Sequence, residues 1–108
     1  MAIAYRKTGK YPVTWQDIRC GEKFVVHSRE WFDKNCVVDS EGDYAMDVTD
    51  RFGGKDTDFF ANSMLDFFGE TVTVKEICVY YILVCEEDGS PGHTMHKWYP
   101  EMFEKIAE

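Results

Sequence analysis

Gly69-Glu70-Thr71-Val72-Thr73-Val74-Lys75-Glu76-Ile77-Cys78-Val79-Tyr80-Tyr81-Ile82-Leu83-Val84-Cys85-Glu86-Glu87-Asp88-Gly89 is the stretch that sets the fold class. Most of its residues are β-branched, aromatic or aliphatic. Thr71 to Lys75 alternates polar and apolar, with Val72 and Val74 on one face, the period of a half-buried strand. Tyr80 to Cys85 is a continuous apolar run, too short for a lone amphipathic helix and rich in strand formers. A connection near Glu76–Val79 makes the two a hairpin. One hairpin cannot bury its own faces, so the flanking segments must supply further strands.

Upstream, Gly21-Glu22-Lys23 reads as a turn launching a strand over Phe24-Val25-Val26-His27, with Phe24 and Val26 opposite Val25 and His27. Ser28 is placed to cap a short helical turn through Arg29–Lys34, which Asn35 ends. Cys36-Val37-Val38 is a short extended edge, Asp39–Asp43 a turn, and Tyr44–Val48 another short strand. Thr49–Asp58 is predicted to be a polar loop around Gly53-Gly54. Apolar residues at 60, 64, 67 and 68 have helical spacing and end at Gly69, a C-cap. Downstream, Glu86–Gly92 is a turn, Thr94–Tyr99 a strand, and Pro100–Glu104 a helical turn with proline first. Short strands at close spacing predict an all-β domain over residues 15–108, a small, partly open barrel of SH3-like type. Residues 1–14 are predicted to be a basic N-terminal arm, because Thr8-Gly9-Lys10-Tyr11-Pro12 breaks regular structure.

The 108 residues suffice for one core, and 44% hydrophobic with 16% aromatic content can fill it. No apolar run reaches the length of a membrane span, and the N-terminus has no secretory pattern, so a cytoplasmic protein without membrane contact is expected. The net charge of −8 is uneven. Residues 1–23 hold five cations against two carboxylates, leaving −11 on residues 24–108. An acidic body repels phosphate backbones, so direct nucleic-acid binding through it is disfavoured. Cys20, Cys36, Cys78 and Cys85 form no CxxC pair and read as reduced thiols.

Gly21-Glu22-Lys23-Phe24, Met64 through Gly69 to Val74, Tyr80 to Ile82 with Glu87-Asp88, and Trp98-Tyr99-Pro100-Glu101-Met102-Phe103 follow one another along the chain. In that order the chain resembles a class of small proteins of bacteria and their phages. The resemblance covers residues 18–104 at the level of element order. It implies an SH3-like barrel and a phage or mobile-element origin, and carries over no catalytic residue. The N-terminal arm and the extra cysteines depart from the class.

Chemistry-bearing patterns are sparse. His93-Thr94-Met95-His96 offers H-x-x-H, but Cys78 and Cys85 lack the close ligand pair that zinc sites use. An EF-hand reading of Asp39, Glu41 and Asp43 fails at its sixth position, Tyr44, and at its twelfth, Asp50. No cysteine or serine has a base or nucleophile elbow in its pattern, so no enzyme activity, metal or cofactor is expected. The excess lies in aromatic rings, some of which must face outward. Trp31, Phe32 and Tyr44, beside the carboxylates Asp39, Glu41, Asp43, Asp47 and Asp50, are the candidate binding residues. The expectation is a non-enzymatic module that binds a protein with a basic surface. A phage-type acidic inhibitor of a host defence or nucleic-acid enzyme is one concrete form. The alternatives are a self-associating assembly protein and a small metal-binding domain.

Overall fold

The computed structural model describes residues 8–86 and 96–106. Eight strands fall into two antiparallel sheets, which makes the domain all-β as the hairpin pattern predicts. The larger sheet has the order β1-β8-β2-β6-β7, built from β1 (Thr8–Pro12), β2 (Lys23–Val26), β6 (Thr71–Ile77), β7 (Ile82–Glu86) and β8 (Phe103–Ile106). The smaller has the order β3-β4-β5, from β3 (Val37–Val38), β4 (Tyr44–Thr49) and β5 (Lys55–Phe60). The smaller sheet and α1 (Arg29–Asn35), an α-helix, lie in the chain between β2 and β6.

The quoted hairpin forms, but its connection spans residues 78–81 rather than Glu76–Val79, so Tyr80 and Tyr81 precede β7 instead of opening it. Val72 pairs with Glu86 and Val74 with Val84, and all three valines are buried. A register shift between Val74 and Glu76 bends β6 at Lys75. Gly69 ends the preceding 3-10 turn (Asn62–Phe67) at φ +73, a left-handed conformation that costs a side-chain-bearing residue energy. Its amide reaches back to the Val26 carbonyl at 3.1 Å, tying the start of β6 to β2. Ser28 caps α1 by accepting the Trp31 amide, as its position predicts.

Three readings are corrected. Thr8–Pro12 is strand β1, paired with β8, so residues 8–12 belong to the sheet and are no detached arm. Local sequence hid this because the partner lies almost a hundred residues away. The segment read as a polar loop includes the first four residues of β5, which pairs with β4 from Tyr44↔Phe60 to Thr49↔Lys55. Its Lys-Asp-Thr-Asp start is polar because β5 is an edge strand exposed along most of its length. Pro100–Met102 is a 3-10 turn as expected, but Phe103 onward is β8, inserted between β1 and β2. Of the strand predicted over Thr94–Tyr99, residues 94 and 95 lie outside the described residues, and Trp98 forms an isolated bridge with Ile82.

The core is a chain of rings. Phe24 stacks on Phe103, Phe103 on Trp98, and Trp98 meets Phe60 edge-on. Phe60 in turn lies 4.3 Å from Phe32. Trp98, Phe60 and Phe32 are fully enclosed. Most of the aromatic excess is thus consumed in holding the two sheets together.

Candidate functional site

Thr14 precedes a short 3-10 turn, Trp15–Asp17, where the Asp17 carboxylate accepts both the Thr14 amide and its hydroxyl. That backbone hydrogen bond, with Lys105 at 3.2 Å, holds the Asp17 carboxyl below its ordinary value. The turn sets Trp15 beside the end of β4, and its indole N–H donates to the Thr49 carbonyl at 2.8 Å. The Thr49 hydroxyl donates to Glu101 Oε2 at 2.7 Å. Trp15, Thr49 and Glu101 thus tie the N-terminal turn, β4 and the Pro100–Met102 turn around one concavity.

That concavity is a cleft of about 940 Å³. The end of β1, His27 and Trp31 line it, together with residues of β4 and of the turn that follows it and with Glu101 and Phe103. His27 is buried, with Nδ1 2.7 Å from Glu104 Oε2. Its ring stacks on Trp31 at 3.7 Å between centroids and 12° between planes. Burial pushes the His27 pKa down, against the upward pull of Glu104 and of the Glu101 backbone. The ring is therefore neutral near pH 7. Cys36, also on the cleft wall, has its thiol pKa raised by burial, so it is a poor thiolate.

The charged groups on the cleft wall are Asp47, Asp50, Glu101 and Arg51. Asp50 holds the β4–β5 turn by accepting the Phe52 and Gly54 amides. Arg51 lies over the Phe52 ring at 5.6 Å. Glu101 carries the notable feature: Oε2 is satisfied by Thr49, whereas Oε1 is buried without a hydrogen-bond partner. A buried acceptor left unpaired costs about 1–3 kcal/mol, more when charged.

The predicted binding residues part into three groups. Trp31, Asp47 and Asp50 meet in the cleft. Asp39, Glu41 and Asp43 lie in the turn before β4, outside the cleft lining. There Asp39 accepts the amides of Glu41 and Asp43, and Asp43 accepts that of Asn62, so two of these three carboxylates shape backbone. Phe32 and Tyr44 are corrections. Phe32 has no exposed surface and Tyr44 only 4%, because Phe32 is the buried position of α1 and alternate positions of β4, starting at Tyr44, face the core. The Tyr44 hydroxyl reaches Asp33, and that hydrogen bond raises its pKa. Among the described residues, the rings most exposed to solvent are Phe52, Phe59 and Tyr80.

The chain matches no family model, no curated protein and no solved structure. Among the described residues no group of three or more His, Cys, Asp or Glu side chains is placed to hold a metal ion. His93 lies outside the described residues, and His96 Nε2 is 3.1 Å from the Ser63 hydroxyl. No described helix is long and apolar enough to cross a membrane. Sequence reasoning missed Trp15, Thr49 and Glu101 as one unit. The three are scattered over the chain, so no local pattern joins them.

Proposed function

We propose that this domain is a non-enzymatic protein-binding module whose cleft receives a basic segment of its partner. One observation carries the reading: the cleft walls combine indole and phenyl rings with three carboxylates, Asp47, Asp50 and Glu101, against the single guanidinium of Arg51. Rings and carboxylates together attract cations, and an overall charge of −8 draws a basic surface toward them from a distance. An acidic inhibitor that occupies the cationic groove of a nucleic-acid enzyme, as the resemblance to phage proteins implies, is one form of this activity.

The immobilised chain should capture a basic protein from bacterial lysate at about 50 mM salt and release it by about 300 mM. The Asp47→Asn/Asp50→Asn double variant should lose that protein, whereas Asp39→Asn/Glu41→Gln/Asp43→Asn should keep it. Equal capture by wild type and the cleft variant overturns the reading.

A second reading is self-association. β5 is the outer strand of its sheet, and Val37, Ala45 and Phe59 are cross-strand neighbours in a row whose two ends are exposed. Sedimentation separates the two: a monomer at high concentration removes the assembly.

A further inference from the structure

Glu101, whose Oε1 is buried without a hydrogen-bond partner, lines a cleft that also carries two further carboxylates and two half-buried indoles. We propose that the cleft takes the guanidinium of an arginine side chain presented by a partner protein, with Glu101 as its anionic acceptor; this rests on the cleft being the partner-binding surface. Oε1 lacks a donor, so a ligand N–H there replaces no existing hydrogen bond of that atom. It is covered in the free chain, and a carboxylate turns about its last torsion at low cost, which brings the oxygen to the cleft.

Aromatic walls choose between the two basic side chains. A guanidinium is planar and weakly hydrated, stacks on aromatic faces and offers five donors to several carboxylates at once. An ammonium is a compact, strongly hydrated point charge and gives up more solvation on entering a ring-lined cleft. Trp15 is fixed by its hydrogen bond to Thr49 and Trp31 by its stack on His27, so both rings are placed before the partner arrives. His27 is neutral near pH 7 and does not oppose the entering charge.

The test is a titration of the full ¹⁵N-labelled chain with Nα-acetyl-arginine methylamide, alongside the lysine and citrulline analogues. Citrulline keeps the shape and loses the charge. The arginine compound should shift the Trp15 and Trp31 indole N–H signals and the Thr49 amide saturably. The lysine compound should bind several-fold more weakly, and citrulline should leave the signals in place. Glu101→Gln should weaken arginine binding about tenfold, with the remaining spectrum unchanged. Asp47→Asn, at an exposed strand position, gives a second reading of about threefold loss should Glu101→Gln not fold. Citrulline or lysine binding as well as arginine, or both variants binding like wild type, overturns the proposal. No arginine signal, with lysate capture still lost in the Asp47→Asn/Asp50→Asn protein, removes arginine and leaves the partner-binding cleft. No effect in either experiment removes both.

Discussion

His27 is the last residue of the first predicted strand segment, and three neighbours decide its behaviour. Trp31 covers one face of its ring, Glu104 meets Nδ1, and the Glu101 backbone lies against it. Burial holds the pKa below the ordinary 6.5 despite the carboxylate. As pH falls, the unfolded chain takes up this proton first, so stability falls from about pH 6.5 downward and levels off below the folded value. Urea unfolding should show an acid-side slope of up to about 1.4 kcal/mol per pH unit between about pH 6.5 and the folded value. The slope should be missing in His27→Gln; parallel curves for the two proteins would remove His27 as its source. Phe32, the ring at the junction of helix and core, should cost about 3–5 kcal/mol when cut to alanine.

At the scale of elements, adjacent residues have opposite fates. Phe59 and Phe60 share β5, yet Phe60 is enclosed and Phe59 is 44% exposed, because successive side chains leave a strand on opposite sides. Phe60→Ala should therefore cost about 3–5 kcal/mol, while Phe59→Ser should stay within about 0.5 kcal/mol. Similar midpoints in urea for the two variants would contradict the register of β4 with β5. Gly69 sits at φ +73 with open space where a Cβ would stand, so Gly69→Ala tests backbone strain alone. A loss of about 1 kcal/mol is expected. Removing residues 1–12 deletes an edge strand rather than a tail, and should lower the melting temperature measurably; an unchanged melting temperature would make β1 dispensable.

For the whole molecule, the long segment between β2 and β6 makes the architecture. It carries α1 and the smaller sheet out of the larger one and returns to pair beside β2. The same layout brings the Trp15 turn, the end of β4 and Glu101 together. Charge acts at this scale as well. With −11 on residues 24–108, capture of a basic partner should fall steeply with ionic strength, and a flat response would place its affinity outside electrostatics.

The sequence alone determined the strands whose signal is local. Val72 and Val74 alternate toward the core, Ser28 caps its helix, and Gly69 marks the turn into β6. Short-range periodicity and capping chemistry leave their mark within a few residues. Tertiary structure alone decided that Thr8–Pro12 and Phe103–Ile106 are neighbouring strands and that polar Lys55–Asp58 is an edge. It also decided that Phe32 and Tyr44 point inward while Trp31, Asp47, Asp50 and Glu101 face one cleft. Pairing between distant segments is selected by how much apolar surface the whole arrangement buries, a quantity that no stretch of the chain carries by itself.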